Sequence, residues 1–386
     1  MLPSGKESLE PAPGPVTKTG IAPPSEDNSE DRTMTIVPGL PSAPRHSFVE
    51  GSVVAGRYLV VRFIAHGGMG EVYEVDDLEL RERIALKTVR PEIISGDERA
   101  LERFRREIQL ARKITHPNVC RVYDVGFHAP DAPITITPPP ASTEKIPFLT
   151  MELLAGETLA RRLDRHIFNE AEALPIARQM AAALDAAHEA GVVHRDFKSE
   201  NVFLVPGRRE GETRVVVTDF GMARAMSRER FVVTMGSREL MGTPAYMAPE
   251  QVEGGEVTGS ADLYAFGIVL YEMVTGCRPF DAETPLGTAM RRLKEPPAPP
   301  HVHRPGLDPK FEAAILRCLQ REPAGRFSTA REAVMPIASR AMADIIPVAA
   351  TRYGRRRGPS ARRCGSTSPD ARGHGKGEGT WTRLCA

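Results

Sequence analysis

The sequence predicts an α+β fold in two lobes: a small strand-rich lobe with one key helix, then a larger helical lobe. Three observations carry that prediction. Residues 56–90 alternate short β-like runs with turns, "GRYLVVRFIA", "GEVYEVDD" and "RIALKTV". Residues 97–114 set Leu101, Phe104, Ile108, Ala111 and Ile114 at three- and four-residue spacings, an amphipathic helix with Asp97 as a plausible N-cap. From about residue 157 the pattern turns helical. There, "EAEALPIARQMAAALDAAHEAG" (170–191) ends on a glycine stop, and "SADLYAFGIVLYEMVTG" (260–276) is apolar nearly all round and expected to be buried. Strands followed by helices imply two lobes with a cleft between them, a common place for a ligand.

The elements order as a disordered Pro/Ser/acidic segment over 1–48, a small lobe over 49–154, a large lobe over 155–345 and a basic low-complexity tail over 346–386. Strands are expected at "VCRVYDVG" and "PFLTMELL", separated by a proline-rich surface insertion over about 127–146. The insertion and the tails are possible docking segments, with solvated chain as the plainer alternative. Charge is balanced, 51 basic against 50 acidic residues, which gives no argument for nucleic acid or an anionic membrane. The five cysteines are scattered without metal-ligand spacing and are expected to be free thiols in a reducing compartment. No stretch reads as a signal or spanning segment, so a cytoplasmic location is expected.

Several residues carry chemistry. "FIAHGGMGEVYEV" (63–75) reads either as a tight hairpin or as a glycine-rich phosphate loop whose first glycine is Ala65. Lys87 lies in the apolar strand "IALKTV"; if buried it needs an anion, for which Glu107 and Glu102 on the following helix are candidates. "GVVHRDFKSENVFLV" (191–205) sits between a helix stop and an apolar strand, so Asp196, Lys198 and Asn201 can converge. A carboxylate there can take a hydroxyl's proton, an ammonium can neutralise a phosphoryl group, and an amide oxygen can bind Mg²⁺. Asp219 ends the next strand, before Gly221, and with Asn201 would supply two oxygen ligands. Taken singly, each could be a satisfied loop residue or a turn former.

Together "HGGMGEV", "IALK", "HRDFKSEN", "DFG", "GTPAYMAPE" and "DLYAFG" resemble the eukaryotic-like serine/threonine protein kinases of bacteria, over roughly residues 56–340. The resemblance implies a bilobal protein-kinase-like fold and ATP with Mg²⁺. Residues Ile64, Ala65, His66, Gly67, Gly68, Met69, Gly70 and Val72 would cover the phosphates. Lys87 would hold them, braced by Glu107. Met151 looks like the gatekeeper, the backbones of Glu152 and Leu154 would meet adenine, and Val72, Ala85 and Phe203 would sandwich it. Asp196 would be the catalytic base, Lys198 the neutralising cation, and Asn201 and Asp219 the magnesium ligands.

The same resemblance gives Glu250, Arg326 and Asp262 structural roles, with Glu250 and Arg326 forming a buried pair beneath a peptide-binding platform. Arg195 marks kinases switched by phosphorylation of the activation loop, here with Thr234 and Ser237 as acceptors; Thr243 would sit beside Asp196. Ser199 stands where proline is common. The implied activity is phosphoryl transfer to Ser or Thr of protein substrates, with autophosphorylation. The alternatives are a weakly catalytic, pseudokinase-like scaffold and a small-molecule phosphotransferase.

Overall fold

The computed structural model describes residues 46–67, 70–90, 98–129, 145–209, 211–221 and 244–341. By internal contacts the chain divides into Met1–Val49, of which only residues 46–49 are described, and Glu50–Ala386, to which everything below refers. The tails expected to be disordered or to dock partners fall almost wholly outside the described residues.

Six strands form one antiparallel sheet: β1 (Val53–Val54), β2 (Tyr58–Gly67), β3 (Gly70–Asp77), β4 (Glu82–Thr88), β5 (Val122–His128) and β6 (Ile146–Met151), ordered β1-β2-β3-β4-β6-β5. Helix α1 (Glu98–Ala111) lies between β4 and β5 in sequence. Its periodic apolar face works as expected, since Phe104 and Ile108 are buried in one cluster with Val89 and Leu149 of the sheet. The expected insertion is narrower than its composition suggested. Phe127 and His128 pair with Pro147 and Ile146 across β5 and β6, and residues 130–144 lie outside the described residues. Proline is accepted at the start of a strand, where Pro147 stands as the second residue of β6, which composition alone does not reveal.

The larger part follows: β7 (Glu157–Thr158), α2 (Leu159–Leu163), α3 (Glu170–Glu189), β8 (Val202–Pro206), β9 (Thr213–Val217), α4 (Pro249–Val252), α5 (Gly259–Thr275), α6 (Pro285–Lys294), α7 (Pro309–Cys318) and α8 (Ala330–Ala341). Helix α3 starts on a capping box between Asn169 and Glu172, and Gly191, at φ 75°, turns the chain just beyond its end. Helix α5 is buried on every side from Ala261 to Leu270 and stops at left-handed Gly276. Gly267 lets it approach α7, because a Cβ there would stand 2.6 Å from the Cβ of Cys318. β7, β8 and β9 form a second small antiparallel sheet that carries the two loops of interest.

Candidate active site

Directly opposed residues of neighbouring strands share a sheet face. Val72 faces Lys87 across β3 and β4, and Ala85 faces Met151 across β4 and β6. Val72, Ala85, Lys87 and Met151 therefore line one face. The hairpin above it carries exposed Ala65, His66 and Gly67, and the register shifts between Phe63 and Ala65, which bulges Ile64. Gly68 and Met69 lie outside the described residues. Gly70 has φ +153°, and a Cβ there would fall 2.0 Å from the carbonyl oxygen of Thr88. Its bareness thus serves the approach of β4, a reason that the phosphate-loop reading of the glycine pattern did not contain.

Lys87 is 5% exposed and donates to both carboxylate oxygens of Asp219, at 2.7 and 2.8 Å. Among the described residues the carboxylate on this buried ammonium is that of Asp219, a partner that the reading of Lys87 with Glu107 did not include. The physical reason lies in the backbone. Asp219, two residues past the end of β9, is left-handed, at φ 67°, with its carboxylate on Lys87. Glu107 is buried on α1, and that helix meets the following turn through its main chain; a Cβ on Gly221 would lie 3.5 Å from Glu107 O. Burial alone would raise the Asp219 carboxyl, but the charge and hydrogen bond of Lys87 outweigh it and hold the group below the ordinary aspartate value.

The loop after α3 carries the second constellation. Lys198 Nζ is 2.8 Å from Asp196 Oδ2, and Asn201 Nδ2 donates to Asp196 O at 2.9 Å. That bond commits the amide nitrogen; the amide oxygen of Asn201 is a hard donor of the kind that a divalent cation takes. Thr218 N donates to Asn201 O at 2.9 Å, tying the two loops together one residue before Asp219.

Asp262, at the start of α5 and 1% exposed, holds this loop from below. Its Oδ1 accepts from Arg195 N and its Oδ2 from His194 N, both at 2.7 Å, and His188 Nε2 lies 2.7 Å from Oδ2. These bonds hold Arg195 at φ 67°, a conformation costly for a bulky residue. Gln251 Nε2 adds a bond to Arg195 O at 2.9 Å. Sequence reasoning placed Asp262 by motif but missed His188 and Gln251, whose partners are 74 and 56 positions away.

Glu250 and Arg326 meet in a two-pronged ion pair at 2.7 and 2.8 Å, with the Arg326 side chain fully buried. Arg326 also donates to the main-chain oxygens of Ser260, Gln320 and Arg321. Ser199 places its hydroxyl 2.9 Å from that of Tyr246, which donates to Glu272 at 2.8 Å. The turn Pro244–Tyr246 is thereby set against the loop of Asp196. Thr234, Ser237 and Thr243 lie outside the described residues.

On the other side of the site, Phe203 of β8 and Val72 of β3 are both half-buried. Glu152 spends its N–H on Arg121 O at 2.9 Å. Leu154 has no hydrogen-bond partner among the described residues, so its backbone remains available to a ligand. No cluster of three or more His, Cys, Asp or Glu suited to a metal occurs among the described residues. An amide and a carboxylate oxygen, as Asn201 and Asp219 carry, are donor types that suit Mg²⁺, an ion that completes its shell with phosphate and water. A cavity of about 470 Å³ below the loop, against His188, Ser260, Arg326 and Phe327, carries no such convergence of charge. Chemistry rather than volume places the site. No helix among the described residues is long and apolar enough to cross a membrane.

Comparison with known proteins agrees with this geometry. The profile of the protein kinase domain matches residues 58–336. The serine/threonine-protein kinase pkn3 of Myxococcus xanthus is 37% identical over 292 residues, covering 72% of this chain and 49% of that protein. PknA of Mycobacterium tuberculosis is 36% identical over 278 residues, 72% of this chain and 59% of PknA; PrkC of Bacillus subtilis is 32% identical over 283 residues, 73% of this chain and 40% of PrkC. The chain thus spans about half the length of these relatives. The crystal structure of the Mycobacterium tuberculosis PknI kinase domain superposes with a TM-score of 0.57 at 26% identity, covering 75% of this chain and 98% of that domain. The lysine–aspartate bridge between the lobes, the Asp196 loop and the Glu250–Arg326 pair stand within the matched region, and this chain belongs to the protein kinase domain family, in its bacterial serine/threonine-kinase branch.

Proposed function

We propose that this chain transfers the γ-phosphoryl group of ATP to Ser and Thr hydroxyls of protein substrates, in the cytoplasm. The observations that support this best are Lys87 on Asp219, 132 positions apart, and Asp196 with Lys198 and Asn201 in one loop. A scaffold that merely binds partners has no need to keep all five.

Asp196 orients the acceptor hydroxyl and takes its proton as the hydroxyl oxygen bonds to phosphorus and the bond to the leaving diphosphate oxygen breaks. Lys198, beside Asp196, neutralises charge on the moving group, and Lys87 binds the phosphates that stay behind. Val72, Ala85 and Phe203 bracket the base, with Met151 at its back and the Leu154 backbone at its edge. Asn201 and Asp219 would hold Mg²⁺, which supplies charge neutralisation between the phosphate oxygens. The work is positioning and electrostatics rather than covalent catalysis. Thr234 and Ser237 are the proposed autophosphorylation sites, with Arg195 as the group that a new phosphate would pair with.

Intact-protein mass after incubation with Mg-ATP, beside an Asp196→Asn chain, tests the reading. Added phosphates on the unaltered chain alone are expected, with peptide mapping to Thr234 or Ser237. No added mass on either chain, and no labelling of an added protein substrate, would overturn it in favour of a scaffold.

A further inference from the structure

Among the described residues two guanidinium groups are buried in the larger lobe, and they are treated differently. Arg326 is neutralised by Glu250. Arg292, on α6 and 2% exposed, forms no ion pair among the described residues. It lies over the rings of Tyr264 and Phe280, 5.7 and 5.6 Å from their centroids. Its Nη1 donates to Pro244 O at 2.6 Å and its Nη2 to Ala245 O at 2.7 Å, while its Nε has no hydrogen-bond partner. Burial draws its pKa below the ordinary arginine value, opposed by Tyr264.

A buried cation without a counter-ion is among the costlier arrangements in a protein interior, and a packed apolar side chain would fill the same space more stably. What the arginine gains in return is specific. Its fork grips two successive carbonyls of the turn Pro244–Tyr246 from behind. The same turn is gripped from the front, where Tyr246 meets Ser199 in the loop of Asp196. A planar fork fixes both position and orientation of a backbone, which a single contact cannot do.

We infer that Arg292 is a positioning residue for the acceptor protein, setting the Pro244–Tyr246 turn at the height from which a bound Ser or Thr reaches Asp196. This rests on the kinase reading above. Arg292 touches neither nucleotide-binding strand nor either loop carboxylate, so its removal acts on acceptor binding and leaves the nucleotide alone.

The test is steady-state kinetics of the full chain with myelin basic protein as acceptor, varying acceptor and ATP separately. Arg292→Met is expected to raise the acceptor KM about tenfold, on the order of one lost charge-assisted hydrogen bond, with the KM for ATP within about twofold of the unaltered chain. Arg292→Lys, with one donor head in place of a fork, is expected to fall between the two. An unchanged acceptor KM, or an ATP KM that rises in step, overturns the inference and leaves Arg292 a packing residue. If Arg292→Met does not fold, Arg292→Lys decides by the same two readings. An unaltered chain that labels nothing brings down both this and the proposed function, and is told apart because it fails before any substitution.

Discussion

Replacing Asp262 by Asn keeps the size of the side chain and should loosen the Asp196 loop through its hydrogen bonds alone. In the native chain, Oδ1 and Oδ2 each accept a backbone N–H at 2.7 Å, from Arg195 and His194. An amide has one acceptor and one donor end. Whichever way it turns, one of those N–H groups faces another donor in a site 1% exposed. The bond lost to a charged acceptor is worth about 1.5–3 kcal/mol, and the N–H left buried and unpaired costs about 1–3 kcal/mol more. About 3 kcal/mol is a fair centre for these overlapping terms, which for a domain of this size lowers Tm by about 6–12 °C. Arg195, released from φ 67°, can relax and carry Asp196 with it, so kcat is expected to fall about 10²-fold. Thermal unfolding with a phosphate-incorporation assay measures both. A variant that melts within about 2 °C of the native chain at full kcat would refute the account of Asp262 as the anchor of the loop.

Three further outcomes follow from the geometry. Gly70→Ala should lower Tm and weaken nucleotide affinity, because its Cβ would stand 2.0 Å from Thr88 O, whereas Gly67→Ala meets only Gly70 O at 3.7 Å and should be mild; calorimetry and a nucleotide titration of both compare them. Glu250→Ala strips the counter-charge from a fully buried guanidinium and should cost about 3–5 kcal/mol, discounted by the carbonyls that still hold Arg326, and denaturant unfolding reads it. The Asp219 carboxyl is held below its ordinary value, so its contribution to stability is complete above that value and lost as pH falls through the lowered one. The stability gap between the native chain and Asp219→Asn should therefore be flat from pH 7 to about 5 and close below about pH 4, as acid titrations followed by circular dichroism would record.

Local pattern made much of this molecule legible. The apolar spacing over 97–114 puts Phe104, Ile108, Ala111 and Ile114 on the buried side, where they are found, although α1 stops at Ala111 and Ile114 lies in the turn beyond it. Helix α5, apolar all round, is buried all round. Motif singles out Lys87, Asp196, Lys198, Asn201 and Asp219; Lys87 meets Asp219, and Asp196 meets Lys198 and Asn201. Pairings between distant segments were harder to read. Lys87 and Asp219 are 132 positions apart, and both acids weighed for Lys87 were local because helix-to-strand proximity is what a sequence suggests. Arg292 sits in "MRRLKE", a run that reads as a solvated helix face, and only the tertiary fold turns that one arginine inward. Ser199 was noticed as a departure from proline, but its hydroxyl bond to Tyr246 depends on a turn 47 residues on.

The anchoring of the loop by Asp262 also bears on how long its protons persist. Loop amides ordinarily exchange with solvent by small local openings. The amides of His194 and Arg195 are instead locked to a carboxylate on α5, inside the main core, and His194 is wholly buried. To release them the first turn of that helix must come away, which amounts to opening the lobe. In deuterated solvent these two positions should therefore keep their hydrogens about as long as the interior of α5 itself. The segment that carries Asp196 has, in the language of exchange, the lifetime of a core.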